Sequence, residues 1–186
     1  MKKTLEIIGG PNGSGKSTFA EVHFAKRKGA TYINTDKIAI GIAPNGSEFA
    51  QYESGRIMLR EIEQAILKKE SFAFETTFSG RIWVSYLQKV KKLGYKIKIY
   101  FVFVNSIELS LKRIKTRVEL GGHSVPEDIV RRRFARAFNN FMKLYMPLAD
   151  EWFIVDNSKT KSVEIAKGKK NAKKIINQEV YNKYFL

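Results

Sequence analysis

Residues 10 to 17 read GPNGSGKS, which places glycines, a lysine and a hydroxyl at the G-x-x-x-x-G-K-[ST] spacing. That spacing suits the holding of a polyphosphate. Gly10, Pro11, Asn12, Gly13, Ser14 and Gly15 form the cradle, whose glycines allow backbone N–H groups to converge on phosphate oxygens, and the helix that follows points its positive end at them. Lys16 adds a mobile full charge near the β- and γ-phosphates, Ser17 is placed to hold Mg²⁺, and Thr18 completes the nucleotide contacts. An incidental glycine turn would leave unexplained a lysine at a helix start, where cations are disfavoured.

A phosphate loop does not say whether the γ-phosphate goes to water or to an acceptor. The strand ends carry that information. Neither the guanine-reading N-K-x-D nor the LSGGQ of transport ATPases is present. What stands there is Asp36 after TYINT and Glu75 after SFAF, each suited to a Mg²⁺-associated carboxylate or to orienting an acceptor hydroxyl. The plainer alternatives are a helix cap for Asp36, since KIAIGI follows, and a surface charge for Glu75.

The elements that must position these groups alternate. TLEIIGG, TYINTD, SFAFETT, KIKIYFVFVN and EWFIVDN read as strands, with EWFIVDN as the last core strand. Between them FAEVHFAKRK, EFAQYESGRIMLREIEQAILKK, RIWVSYLQKVKKLG and SIELSLKRIKTRVEL read as helices, and Pro126 opens another through Leu144. The pattern predicts an α/β fold: a mostly parallel sheet between two helical layers, with ligands at the carboxyl ends of the strands. From Lys159 the tail reads as a weak strand, the basic turn KGKKNAKK and a final helix, forming a solvated basic face over a docking helix, with a nucleic-acid arm as the alternative.

The run RRRFAR, 131 to 136, sets Arg132 and Arg136 one helical turn apart with Arg133 beside them, and like charges so placed call for an anion. Arg113 and Arg117 repeat the spacing on the preceding helix. Two arginine-bearing helices joined by GGHSVP would make a lid over a triphosphate. Phe134, Phe138 and Phe141 share the spacing of a core face. Asn157 and Ser158 follow the last strand, where a contact to adenine fits.

The formal charge is +16, and residues 81 to 186 hold 23 Lys+Arg against 9 Asp+Glu, so the excess lies in the second part. Such a field concentrates any anion and selects none. With no cysteine there is neither a disulfide framework nor a thiolate metal site, which suits a cytoplasmic setting. MKKTLEII lacks a secretory apolar core, and IYFVFV is too short to span a bilayer, so no membrane partner is expected.

Taken in order, GGPNGSGKST, NTDK, FETTFSG, GYKIKIYFVFV, RIKTRVELGGHSVPEDIVRRRFAR and DNS resemble the zeta-toxin family of P-loop kinases, in its short bacterial form, over about residues 4 to 158. The resemblance implies a P-loop NTPase three-layer sandwich in one domain, 1–186, with a helical lid over about 106–145 and a basic tail over 159–186. It implies transfer of the ATP γ-phosphate to the 3'-hydroxyl of the sugar in UDP-N-acetylglucosamine, with ATP and Mg²⁺ as cofactors. Lys16 and Ser17 become the nucleotide and Mg²⁺ residues, and Asp36 the acceptor of the hydroxyl proton. Glu75, Thr76 and Thr77 bind the acceptor sugar, and Arg117 is the first phosphate-clamping arginine. His123 stands where longer members carry a second, so Arg132, Arg133 or Arg136 is expected to supply that charge. A protein antitoxin is the implied partner. The rival readings are a polynucleotide kinase or a nucleic-acid-associated NTPase, and a nucleotide-bound regulatory module without turnover.

Overall fold

A computed structural model describes residues 3–24, 31–43, 48–122, 124–169 and 172–186; the side chains of Asp36, Glu48, Ala50 and Gln51 lie outside that description. Strand β1 (Thr4–Gly9) runs into the phosphate loop and helix α1 (Lys16–Phe24), followed by β2 (Thr31–Ile33), α2 (Thr35–Ile42) and α3 (Glu48–Leu67). Then come β3 (Phe72–Thr76), α4 (Ile82–Lys92), β4 (Lys96–Phe103), α5 (Ile107–Glu119) and α6 (Glu127–Asn140). The chain ends with β5 (Glu151–Asp156), β6 (Val163–Lys169), β7 (Ala172–Ile175) and α7 (Gln178–Phe185).

The strands form one sheet in the order β2-β3-β1-β4-β5-β6-β7. The first five are mutually parallel, and β6 and β7 join antiparallel. This is the expected α/β architecture with a mostly parallel sheet. Two expectations need correction. EWFIVDN is not the last core strand, because β6 buries Ile165 and Ala166 beside it. The KGKKNAKK stretch is not just a turn, since strand residues flank its centre on both sides. Lysines alternating with small residues gave it too little apolar signal to read as a hairpin.

Alternation along the strands divides the core into two unequal parts. Leu5, Ile7, Phe74, Ile99, Phe101 and Ile154 face one side, where Met58 and Ile62 of α3, Leu87 of α4, Ala137 of α6 and Phe185 of α7 cover them. The other side carries Ile8, Ala73, Val102 and Val155, packed by Ala20, Phe19 and Phe24 of α1. Polar caps set the helix starts: Asn34 accepts from the Lys37 amide, Ser106 from that of Leu109 and Asn177 from that of Val180. No described helix is long and apolar enough to cross a membrane.

Helix α6 ends at Asn140, not Leu144, and passes into a π-helical turn, Phe141–Tyr145, closed by a bond from the Met146 amide to the Phe141 carbonyl. The wider turn brings residues five apart onto one side. Asn140 and Tyr145 thereby reach the same loop. Phe141 is fully buried and Phe138 packs against the core, as their spacing predicts.

Candidate active site

The phosphate loop leaves β1 between β3 and β4, in the middle of the sheet. Two glycines are required by geometry. Gly10 has φ +147°, and a Cβ there would lie 1.9 Å from the Val102 carbonyl oxygen of β4. Gly15 has φ +81°, and its Cβ would lie 2.4 Å from Asn157 Nδ2. That Nδ2 donates to the Ser14 carbonyl at 2.8 Å, so the residue after β5 braces the loop. Ser110 of α5 braces it from another side by donating to the Asn12 carbonyl. Lys16 lies folded over the loop, its Nζ donating to the Pro11 carbonyl at 2.8 Å. The Ser14 hydroxyl is buried with no hydrogen-bond partner among the described residues. A buried, unsatisfied donor inside a phosphate loop fits a phosphoryl oxygen as its partner.

Ser17, on the first turn of α1, donates its hydroxyl to Glu75 Oε2 at 2.9 Å. Glu75 is the fourth residue of β3, and its other oxygen accepts from the Tyr32 hydroxyl and from Asn34 Nδ2, the latter at 3.0 Å. Burial pushes the Glu75 carboxyl above its ordinary range; Lys16 and the Ser17 hydrogen bond pull it down, and Glu21 pushes it up. The arrangement fits Mg²⁺. That ion is held by one or two carboxylates together with substrate phosphates, not by an all-protein cage. No group of three or more His, Cys, Asp or Glu able to hold a metal occurs among the described residues.

Asn34 settles a point of local structure. It is the N-cap of α2, so Asp36 lies in the helix's first turn and is not its cap. The Asp36 side chain itself falls outside the described residues, as does His123 altogether.

The segment after β3 is held with unusual care. Thr76 gives its carbonyl to the Gly10 amide at 3.2 Å and its hydroxyl oxygen to the Phe78 amide at 3.4 Å. Thr77 pairs its hydroxyl with that of Ser79 at 2.7 Å. Phe78 sits at φ 54°, a strained setting for a bulky residue, and is buried against the Tyr145 ring at 4.2 Å. Asn140 donates to the Phe78 carbonyl at 2.8 Å, and Tyr145 donates to that of Gly80 at 2.6 Å. The π-helical turn thus fixes the loop that presents Thr76 and Thr77.

The cationic groups divide. Arg113 of α5 reaches the loop, with Nη1 4.0 Å from the place of a Gly15 Cβ and Nη2 donating to the Ser158 carbonyl at 3.4 Å. Arg117 is half-buried one turn further on, beneath Gly122, whose amide donates to its carbonyl at 2.8 Å. On α6, Arg132 and Arg136 are exposed and Arg133 is half-buried. Tyr32, Asn34 and Ser110 were not among the sequence-derived site residues, whereas Arg113 was expected there only as a lid arginine. Its one-turn spacing from Arg117 was the signal, and no comparable signal marked the other three.

A chain with this loop and sheet order has relatives. The family model for zeta toxin matches residues 1–163. A Haemophilus influenzae protein described as uncharacterized is 34% identical over 125 residues, covering 67% of this chain and 88% of that protein. Among solved structures, AvrRxo1-ORF1:AvrRxo1-ORF2 with sulphate ions superposes with a TM-score of 0.77 at 20% identity, covering 99% of this chain. This chain spans 64% of that one's length. The same complex has also been solved with ATP. The PezAT chromosomal toxin-antitoxin system of Streptococcus pneumoniae gives a TM-score of 0.64 at 14% identity, covering 99% of this chain and 79% of that chain. The Pnkp1/Rnl/Hen1 RNA repair complex gives 0.60 at 16% identity, covering 88% and 48%. At these identities the solved structures share the fold, a P-loop kinase-like sheet. The matched span runs from the first strand through the last parallel one, and on that ground the chain belongs to the zeta toxin family.

Proposed function

We propose that this chain is an ATP-dependent kinase that transfers the γ-phosphoryl group to a hydroxyl of a nucleotide-linked sugar such as UDP-N-acetylglucosamine. The carrying observation is the 2.9 Å contact between Ser17 and Glu75, which joins the phosphate loop to a carboxylate on the next strand. The loop amides and the Ser14 hydroxyl bind the ATP phosphates. Lys16 leaves the Pro11 carbonyl for the β- and γ-phosphates, and Thr18, Arg132 and Asn157 complete the nucleotide site. Ser17 and Glu75 would hold Mg²⁺, which when bound neutralises charge on those phosphates. Thr76, Thr77, His123 and Glu75 orient the acceptor sugar.

In the transfer step the acceptor hydroxyl gives its proton to the Asp36 carboxylate. Its oxygen bonds to the γ-phosphorus, and the bond from that phosphorus to the β,γ-bridging oxygen breaks, releasing ADP. Arg117, Arg133 and Arg136, on a helical lid, neutralise charge spread over the moving phosphoryl group, where one decisive arginine is worth roughly 10³ to 10⁵ in rate. Likeness to PezAT, a toxin-antitoxin system, and to the two-component AvrRxo1-ORF1:AvrRxo1-ORF2 complex supports a protein antitoxin as partner.

The test is incubation with MgATP and UDP-N-acetylglucosamine, scored by mass for a gain of one phosphoryl group. Asp36→Asn should retain ATP binding and lose most turnover; wild-type turnover in that variant refutes the assigned base. A second reading, a polynucleotide kinase, draws on the likeness to Pnkp1/Rnl/Hen1. It predicts phosphorylation of 5'-hydroxyl oligonucleotides with failure on every UDP-sugar.

A further inference from the structure

The sheet face packed by α1 is covered by that helix over β1 and β3, and it continues past α1 across β4, β5, β6 and β7. Register fixes what stands on this extension. Lys98 pairs with Glu151 and Tyr100 with Phe153; Glu151 then pairs with Lys169 and Phe153 with Lys167; Lys167 pairs with Lys174. Paired residues point to the same face, so these side chains form one surface. Lys96 joins them, two residues before Lys98 on β4.

The surface combines two properties. Lys96, Lys98 and Lys169 all converge on Glu151, at 2.7, 3.4 and 3.3 Å, while Lys167 meets Glu164 at 2.8 Å. Lys96, Lys98, Lys167, Lys169 and Lys174 stand against Glu151, Glu164 and the buried Glu6 of β1 that pairs with Lys98, which leaves the surface net positive. Phe153 is half-buried and stacks on Tyr100 with centroids 4.8 Å apart and ring planes 10° from parallel. A groove of about 330 Å³ runs over it, lined by Glu151, Phe153, Lys167, Lys169, Lys173 and Lys174. Lysines on an edge strand such as β7 discourage edge pairing. That accounts for Lys173 and Lys174, and not for Lys167 and Lys169 one strand further in or Lys96 and Lys98 three strands in.

The geometry points to a second binding site on this face, for a single strand of RNA or DNA, separate from the phosphate loop. Phosphates would meet Lys98, Lys167, Lys169 and Lys174, and an unstacked base would lie on Phe153. This pairing of a cationic groove with an aromatic platform grips single strands without reading their sequence. A duplex keeps its bases stacked and offers Phe153 nothing. An acidic polypeptide would satisfy the lysines and leave the ring unused. The groove lies at the amino end of β5, and the residue that braces the phosphate loop follows its carboxyl end, roughly 17 Å away at about 3.3 Å per residue.

The experiment is fluorescence anisotropy with a labelled oligouridylate of about 12 nucleotides, at roughly 50 to 200 mM salt. Wild-type protein should bind with a log–log salt slope of about −2 to −3, at about −0.7 per phosphate for three or four contacts. Lys167→Glu/Lys169→Glu/Lys174→Glu should weaken binding more than about tenfold and flatten the slope by about 2, while leaving turnover of ATP unchanged. Phe153→Leu, which keeps the apolar packing, should weaken binding about tenfold with the slope intact. Saturating MgATP, or Lys16→Ala, should leave binding in place. The inference is overturned if MgATP displaces the strand, or if charge reversal at Lys89 and Lys92 on α4 weakens binding as much as the triple change. It is equally overturned if polyglutamate competes as well as unlabelled oligouridylate, which would make the occupant an acidic protein.

Discussion

Gly15 and Asn157 should be energetically coupled, although 142 positions separate them in the chain. Gly15→Ala incurs two separable costs. An L-residue at φ +81° carries about 1–2 kcal/mol of backbone strain. The new methyl would also stand 2.4 Å from Asn157 Nδ2, an overpacking of the kind that costs about 1–3 kcal/mol. The single change should therefore destabilise the protein by about 2–5 kcal/mol. Asn157→Ala alone removes the 2.8 Å bond to the Ser14 carbonyl and should cost about 1–2 kcal/mol. In the double variant the clash has no second partner, so its cost falls below the sum of the two by about 1–3 kcal/mol. Urea unfolding of the four proteins measures this coupling, and calorimetric titration with ATP should show the same order of recovery. Additivity within about 0.5 kcal/mol would refute the claim that Asn157 shapes the loop.

Glu75→Gln should abolish turnover and yet raise the ligand-free melting temperature at neutral pH. A carboxyl whose folded pKa is raised penalises the folded state while ionised, so the wild type should gain stability as pH falls through that value and the variant should not. A lower melting temperature in Glu75→Gln at pH 7 contradicts this. Glu151 is shifted the other way, from 4.5 to about 2, first by its bond to Lys96 and then by Lys169 and Lys98 against the cost of burial. Its stabilisation, about 2 kcal/mol after screening of the exposed lysines, is complete above pH 4.5 and fades toward pH 2. Glu151→Gln should accordingly be less stable than wild type at pH 7 and nearly equal at pH 2, by urea unfolding. Tyr145→Phe, which removes the 2.6 Å bond to Gly80, should raise KM for the acceptor and leave KM for ATP unchanged in steady-state assays. Equal changes in both would detach the loop after β3 from acceptor binding.

The phosphate loop was legible because its function constrains type and spacing together, and the parallel strands because IYFVFV is apolar without interruption and TLEIIGG is a short apolar run, broken by Glu6, that ends in glycines. Glu75 was legible through its position at a strand end, where α/β sheets collect ligand groups. Its partners were not. Tyr32 and Asn34 reach it across two strands whose neighbourhood depends on sheet order, which local periodicity does not encode. Asn140 was unreadable for a related reason. Its role depends on a π-helical turn, and a single added residue per turn leaves no compositional trace. The second hairpin strand, AKKI, was hidden by lysines that suit an edge and mimic a solvated turn. Helix capping by Asn34 in place of Asp36 differs from the simplest reading by two residues, the usual uncertainty of a helix start.

The central claim is that the crevice hands the γ-phosphoryl group to a hydroxyl and keeps it from water. A single-turnover experiment with γ-labelled ATP measures this directly by the partition of label between inorganic phosphate and organic product. With UDP-N-acetylglucosamine present the account predicts label predominantly in the sugar nucleotide, and nearly none there for Asp36→Asn. Label found only in inorganic phosphate, at the same rate with and without every acceptor offered, would contradict it.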